Sequence, residues 1–139
     1  MYKTILLPVD PADASSWQKA LPVALDQARQ SGASLHLLTV VPDVLGLPNL
    51  PADYGSGMVE HAKTQLEKLV TDEVPDGTSV SQSVRQGTVY REILAEAEAV
   101  GADLIVMGSH RPELKDYLLG PNAARVVRHA QTSVLVVRP

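Results

Sequence analysis

Cysteine is absent from this chain of 139 residues. Its absence excludes disulfides, thiolate nucleophiles and cysteine metal sites. Cysteine usage therefore does not indicate whether the protein works in an oxidising or a reducing compartment. Basic residues are also few, because 12 lysines and arginines stand against 16 aspartates and glutamates. The resulting net charge of -4 provides no positive footprint for a polyanion, so we expect no binding to nucleic acid.

Long apolar runs are missing as well. No segment approaches the ~20 residues that span a bilayer, and Met1 leads directly into a short apolar strand without a signal-peptide pattern. We therefore expect a cytoplasmic protein with no membrane contact. With 45% hydrophobic and 20% charged residues, the composition predicts a single globular domain over residues 1–139.

Short apolar segments alternate with helical patterns along the chain. Leu104 to Met107 is continuously apolar, as expected of a strand buried on both faces, whereas Leu21, Ala24 and Leu25 recur at helical spacing. The predicted strands cover Thr4–Val9, Leu35–Val41, Ser79–Arg85, Leu104–Met107 and Ser133–Val137. The predicted helices run from about Ser16 to Gln30, Met58 to Thr71, Val89 to Val100 and Asn122 to Ala130, and an irregular loop runs from Pro42 to Gly57.

This alternation predicts a fold of the α/β class, a three-layer open parallel five-stranded sheet with helices on both faces. The strand Ser79–Arg85 is polar, which places it at a sheet edge. Right-handed crossovers then favour the Rossmann-like order 3-2-1-4-5, in which the chain reverses direction between strands 1 and 4. Ligands bind such sheets beyond the carboxyl ends of the strands at the reversal, so we expect Asp10 and Gly108 to meet in one pocket.

A second feature indicates what this pocket holds. Gly108 ends a strand, and Gly120 and Pro121 precede a helix whose first turn contains Asn122. A helix N-terminus carries unpaired N–H groups and partial positive charge, so the pattern predicts a phosphate site. Turn chemistry alone is the alternative explanation for both glycines.

The runs YKTILLPVD, GSHRP, LKDYLLG, NAARVVRHA and VLVVR resemble the universal stress protein family, and GSHRP is similar to a short nucleotide-binding branch of it. The resemblance covers nearly the whole chain and is weakest in residues 42–87. It implies an adenine nucleotide alpha hydrolase-like fold and a bound ATP, ADP or AMP, with Mg²⁺ accompanying ATP. The residues that it implies for the nucleotide site are Pro8, Val9, Asp10, Val40, Met107, Gly108, His110, Arg111, Gly120, Asn122 and Ala123.

The resemblance also implies a role for several of these positions. Asp10 would bind ribose, the backbone at Val40 would meet adenine, and Gly108 and Gly120 would hold phosphates. A carboxylate suits ribose, because its two oxygens accept hydrogen bonds from two hydroxyls. The alternative role for Asp10 is to cap the turn that follows it.

The chain departs from the family's glycine motif in three ways. Arg111 takes the place of the second glycine, the loop to Gly120 is one residue shorter, and Pro121 replaces a serine or threonine. Arg111 can itself pair with phosphate. Pro121 offers neither hydroxyl nor N–H, so only Asn122 and Ala123 keep backbone donors there.

Hydrolytic and metal-dependent sites do not assemble from the remaining residues. Ser109 and His110 are adjacent, so they cannot act as nucleophile and base toward each other, and no GxSxG motif is present. The histidines show no metal-ligand spacing, and His36 is expected to be a satisfied core or edge residue. The sequence has no Walker lysine or acidic metal cluster for fast phosphoryl transfer. We expect no catalytic residues and no metal site.

The expected function is that of an ATP-binding universal stress protein, a nucleotide-dependent regulatory or sensing module in stress response. A structural stress-response dimer that binds no nucleotide is the alternative, and a slow ATPase is a third. The apolar segment Thr132 to Val137 falls at an edge of the predicted sheet, and such an edge invites pairing. We therefore expect a homodimer through the last strand, or a tetramer, as the resemblance also implies.

Overall fold

The structure, a computed structural model, describes residues 1–43, 49, 51, 53–109 and 120–138. Strands and helices alternate along the chain in the predicted order. The strands are β1 (Thr4–Pro8), β2 (Ser34–Pro42), β3 (Val80–Gly87), β4 (Leu104–Gly108) and β5 (Ser133–Val137). The helices are α1 (Ala20–Ser31), α2 (Tyr54–Glu73), α3 (Val89–Val100) and α4 (Pro121–His129), and a 3-10 helix covers Ala14–Ser16.

The five strands form one sheet in the order β3-β2-β1-β4-β5, and every neighbouring pair is parallel. The predicted fold class and strand order are confirmed. β1 lies in the middle of the sheet, where Ile5 is paired with Leu35 on β2 and with Leu104 on β4. The chain therefore leaves β1 toward one side and returns to its other side much later, which opens a crevice at the carboxyl end of β1.

Side chains of the sheet alternate between two apolar layers. Leu37 packs in the layer that α1 and α2 cover, together with Leu66, whereas Leu38 packs in the layer of α3 and α4, together with Ile93. All four side chains are essentially fully buried, and each contributes about 1.5–3 kcal/mol of hydrophobic stabilisation. Burial on both faces explains why β1 and β4 are continuous apolar runs in the sequence, whereas the edge strand β3 is polar.

Helix α1 begins at Ala20, so the prediction that it begins near Ser16 was wrong. The carboxylate of Asp13 accepts hydrogen bonds from the backbone N–H and the hydroxyl of Ser15, at 3.1 and 2.6 Å. This cap closes the separate 3-10 turn. Ser16 is buried beside Asp10, and its hydroxyl accepts from the Asp10 N–H at 2.9 Å. Asp13 thus caps the 3-10 helix, whereas α1 begins after Lys19 without a side-chain cap.

Helix α2 begins at Tyr54, four positions before the predicted start at Met58. The first turn contains two glycines, each of which costs roughly 0.5–1 kcal/mol in a helix relative to alanine. Local bonds offset that cost: the Ser56 hydroxyl donates to the Asp53 carbonyl at 2.9 Å, and the Gly57 N–H donates to the same oxygen at 3.0 Å. The predicted irregular loop is therefore shorter at its C-terminal side, and its residues 44–48, 50 and 52 lie outside the described residues.

His36 is a satisfied core residue, as predicted. Its side chain lies on β2 with Nδ1 2.6 Å from the Ser81 hydroxyl and Nε2 2.8 Å from a carboxylate oxygen of Glu96 on α3. Glu96 is buried, and it also accepts from the Ser83 hydroxyl and from Arg85 Nε at 3.0 Å. We call these residues, with Glu92 as the second partner of Arg85, the His36 network. The polar side of β3 thus bonds to α3 instead of facing only water.

The charges of the His36 network stabilise one another. Burial alone would raise the pKa of Glu96, but hydrogen bonds from Ser83, Arg85 and His36 outweigh it and hold that pKa below its ordinary value. The bond to Glu96 in turn raises the pKa of Arg85. Glu96 is therefore an ionised, fully partnered carboxylate at neutral pH, and it ties the edge strand β3 and β2 to α3.

Candidate functional site

A cavity of about 380 Å³ opens at the carboxyl ends of β1, β2 and β4. Its volume falls within the range of small-molecule sites, and it lies where the chain reverses direction in the sheet. The walls are largely apolar and include Leu38, Val40 and Ile93, while Asp10 and Asn122 provide polar groups. The arrangement suits a flat apolar ligand with a polar extension.

Most of the predicted site residues lie around this one cavity. The lining includes Pro8, Val9, Asp10, Val40, Met107, Gly108 and Asn122. Gly120 is buried directly before α4, and Ala123 is buried in the core beneath the helix, so neither forms the wall. His110 and Arg111 lie outside the described residues. The fold therefore brings together residues that are far apart in the sequence, from the ends of β1, β2 and β4 and the start of α4.

Asp10 combines an exposed carboxylate with a local turn contact. Its Oδ1 accepts a hydrogen bond from the Ala12 N–H at 3.0 Å, which is the turn-capping role considered as an alternative. Oδ2 has no hydrogen-bond partner among the described residues, and Asp10 also lines the cavity. Because a carboxylate accepts bonds at both oxygens, capping and ligand binding are compatible in one side chain.

The backbone of Val40 faces the cavity without a strand beside it. The Val9 N–H donates to the Leu38 carbonyl at 2.8 Å, and the register between β1 and β2 ends at Pro8 and Leu38. Backbone groups of alternate residues in a strand point to the same side, so the N–H and C=O of Val40 also point toward β1. At that level β1 has already ended, so among the described residues this donor and acceptor have no strand partner on the β1 side, and they face the cavity.

Gly108 allows the end of β4 to approach the 3-10 turn beside Asp10. A Cβ atom at this position would lie 3.1 Å from the Ser16 carbonyl oxygen and 3.5 Å from that of Ser15. Those partners are backbone atoms that cannot swing aside. A side chain here would require these backbone atoms to shift by a few tenths of an ångström, so the close approach favours glycine, a reason that the sequence alone does not show.

Ser109 holds the start of α4 against the end of β4. Its hydroxyl accepts a hydrogen bond from the Gly120 N–H at 3.2 Å, and its own N–H donates to the Val137 carbonyl at 2.9 Å. Pro121 is the first residue of α4, so the N–H groups of Asn122 and Ala123 lie in the first turn and have no intrahelical acceptor. The helix thus presents its positive end at the rim of the cavity. The sequence suggests only a nucleophilic role to consider for Ser109, because the distance along the chain from Ser109 to Gly120 gives no sign of this anchoring role.

Replacing Ser109 with alanine is expected to lower the free energy of unfolding by about 1 kcal/mol, because the buried Gly120 N–H loses its acceptor. Urea denaturation of both proteins would measure the difference. Ser79→Ala serves as a control, since Ser79 is exposed and should change stability by less than about 0.5 kcal/mol. Equal effects of the two substitutions would contradict the anchoring role.

Helix α2 contributes a wall that the sequence analysis missed. Met58, His61, Ala62 and Gln65 line the cavity at spacings of three and four, so they share one face of the helix. This spacing is visible in the sequence, but His61 and Gln65 are polar and were not assigned to an inward face. Their position became evident only from the packing of α2 over the end of β2.

The site and its fold match a known group of proteins. The Universal stress protein family profile matches residues 1–138. The chain belongs to the universal stress protein family. Universal stress protein G of Escherichia coli O157:H7 is 38% identical over 143 residues, which cover 99% of this chain and 100% of that relative.

Solved structures of universal stress proteins share the fold. Universal stress protein UspA from Lactobacillus plantarum matches with a TM-score of 0.78 and 25% identity over 99% of this chain and 98% of that chain. A universal stress protein in complex with cAMP matches with a TM-score of 0.64 and 23% identity over 98% and 97% of the two chains. The order β3-β2-β1-β4-β5 is thus the architecture of a universal stress protein.

Neither a metal site nor a membrane-spanning helix occurs in the described part of this universal stress protein. Residues 1–43, 53–109 and 120–138 contain no group of three or more His, Asp or Glu side chains arranged to hold a metal ion. Across those same ranges, no helix combines the length and apolar character needed to cross a membrane.

Proposed function

We propose that this universal stress protein binds an adenine nucleotide, ATP in the first place, and acts as a nucleotide-dependent regulatory module in stress response. The observation that carries the proposal is the meeting of Asp10, the free backbone groups of Val40 and the start of α4 around one cavity. A family member with the same fold is known in complex with cAMP, so the fold can accommodate an adenine nucleotide.

Each part of the nucleotide has a counterpart in the cavity. Adenine would lie between apolar side chains and pair with the N–H and C=O of Val40. Ribose would donate its hydroxyls to the free Oδ2 of Asp10, and the phosphates would extend toward the N–H groups of Asn122 and Ala123. Arg111, Gly120 and Gly108 belong to the same proposed phosphate region. Mg²⁺ would be held by the phosphates of ATP, because the described residues offer no carboxylate cluster for it.

Regulation fits this site better than turnover. The sequence lacks a Walker lysine, and no acidic metal cluster occurs in the part of the chain that is described. Fast phosphoryl transfer depends on such groups to neutralise developing charge, so any ATP hydrolysis would be slow. Binding would then change the conformation or stability of the protein, and a partner inside the cell would recognise that change.

A structural dimer without nucleotide is the second candidate. Pro121 favours it, because the first residue of α4 has no N–H and one phosphate donor is missing. The two candidates predict different behaviour of the purified protein. Mass spectrometry of the solution released by denaturation, together with calorimetric titration of ATP, ADP, AMP and adenosine, distinguishes them. We expect ATP to bind more tightly than adenosine; the absence of any nucleotide binding would favour the structural dimer.

We also propose that the protein forms a homodimer through β5, or a tetramer built from such dimers. β5 pairs only with β4 in the sheet, and its side chains from Val134 to Val137 are half-buried at this edge. Pairing with a second copy would satisfy the open edge in a two-fold contact. Light scattering at micromolar concentration should give twice the monomer mass of 14.9 kDa, or a multiple of it, and a constant monomer mass on dilution would refute the dimer.

A further inference from the structure

The cavity extends over the end of the sheet from one face to the other. Val40 and Ile93 belong to the layer of α3 and α4, whereas Ala62 and Gln65 lie on α2, which covers the opposite face. A base held at the backbone of Val40, at the end of the sheet, would therefore have α3 on one side and α2 on the other. The α2 wall consists of Met58, His61, Ala62 and Gln65.

Two polar side chains around the cavity are already engaged within the protein. The Thr39 hydroxyl donates to the Val9 carbonyl at 3.0 Å, and the Ser16 hydroxyl bonds to the backbone of Asp10 at 2.9 Å. The side chains of His61, Gln65 and Asn122 differ, since none of them has a hydrogen-bond partner among the described residues. They are therefore available to a ligand at no cost in broken bonds.

We propose that Gln65 determines which nucleobase the cavity accepts and that His61 adds affinity for the bound base. The inference rests on the proposed nucleotide function and assigns the base specificity of the same site. One N–H and one C=O from Val40 do not distinguish adenine from guanine well, because both purines present a neighbouring donor and acceptor on one edge. Gln65 provides what is missing: a carboxamide pairs with both N6 and N7 of adenine, whereas guanine presents two acceptors there.

His61 lies one helical turn before Gln65, nearer the start of α2, and it is the more exposed of the two. Its ring would cover the solvent-facing side of the base. Stacking is insensitive to base identity, since every base has a π-face. His61 thus adds affinity for any purine nucleotide, and Gln65 adds the preference for adenine.

The test titrates ATP, GTP and 7-deaza-ATP, which lacks the N7 acceptor, into the full-length protein. Wild type should prefer ATP to GTP and should bind 7-deaza-ATP about tenfold more weakly than ATP. Gln65→Met keeps the length and apolar stem of the side chain, and it should bind ATP about tenfold more weakly, leave GTP unchanged and no longer distinguish 7-deaza-ATP. His61→Ala should weaken ATP and GTP equally, by about fivefold or more. Glu67→Ala, exposed on the same helix away from the cavity, is the matched control and should bind as wild type.

The outcomes separate this inference from the function on which it rests. If wild type binds ATP, yet Gln65→Met matches it and 7-deaza-ATP binds like ATP, base recognition by α2 is refuted and the nucleotide function stands. The 7-deaza-ATP comparison needs no variant, so it decides the point even if a substitution impairs folding. If wild type binds neither ATP nor GTP, both proposals fail.

Discussion

Replacing Glu96 with alanine is expected to lower the free energy of unfolding by about 3 kcal/mol, because removal of one partner from a buried ionic network leaves the others uncompensated. Among the described residues, His36 Nε2 would keep only the Ser83 hydroxyl at 2.9 Å, and Arg85 would keep only Glu92. Both bonds to Glu96 join α3 to β2 and β3, so the substitution should weaken the packing of α3 on the edge of the sheet. Urea denaturation at neutral pH would measure it.

Two variants separate the network from general effects of substitution on α3. Glu98→Ala removes the same side chain two residues further along, where it is exposed, and should cost less than about 0.5 kcal/mol. Glu96→Gln keeps the shape but removes the charge and one of the two acceptor oxygens, so it can accept from Arg85 or from Ser83 but not from both, and an intermediate loss is expected. A Glu96→Ala protein as stable as Glu98→Ala would show that the network contributes little.

The same network predicts how stability depends on pH. The pKa of Glu96 is lower in the folded protein than in the unfolded chain, so its contribution is complete above the unfolded pKa of about 4.3 and is lost as pH falls through the folded pKa. The difference in unfolding free energy between wild type and Glu96→Gln should therefore shrink from about pH 5 downward. A difference that stays constant into acid would contradict the lowered pKa.

Replacing Asp10 with alanine is expected to weaken ATP binding by about 1.5–3 kcal/mol, or roughly 10- to 150-fold, the scale of a charge-assisted hydrogen bond. The free Oδ2 at the cavity is the atom that would accept from ribose. Calorimetric titration gives the affinity, and circular dichroism checks that the fold is intact.

Asp10→Asn is the control that distinguishes a ligand contact from a turn contact. Asparagine can still accept the Ala12 N–H and so preserve the turn, but it lacks the second acceptor and the charge. If Asp10 binds ribose, both variants lose affinity. If Asp10 only holds the turn, Asp10→Asn binds ATP as wild type does, and the assignment of ribose to this carboxylate is wrong.

The sequence predicts the sheet well because inner strands are buried on both faces and appear as unbroken apolar runs, such as Leu104 to Met107, while the polar β3 marks an edge. Helix starts are predicted less well. The residues before α1 form a separate 3-10 helix that the Asp13 carboxylate caps, and the first turn of α2 includes two bonds to the Asp53 carbonyl. Such contacts involve single polar atoms, and the spacing of apolar residues along the sequence does not predict them.

The residues of the candidate site also divide into those that the sequence predicts and those that it does not. Asp10 and Gly108 follow from topology alone, since strand order fixes which strand ends are neighbours. Ser109, His61 and Gln65 do not, because their roles depend on the direction of a side chain after packing. The partners of His36 on β3 and α3 are 45 to 60 positions further along the chain, and no local pattern connects them.

The position of β1 in the middle of the sheet has a consequence for synthesis. The carboxylate of Asp103 accepts the N–H of Lys3 at 2.9 Å across 100 residues of chain, beside the pairing of β1 with β4. A ribosome that adds about 5–20 residues per second needs about 5–20 seconds to make that stretch. During this time the apolar β1 has no partner strand on its β4 side, and the walls of the cavity that β4 and α4 form are not yet present. The proposed nucleotide would therefore bind only after β4 and α4 are made, and it would stabilise the completed fold without assisting the nascent one.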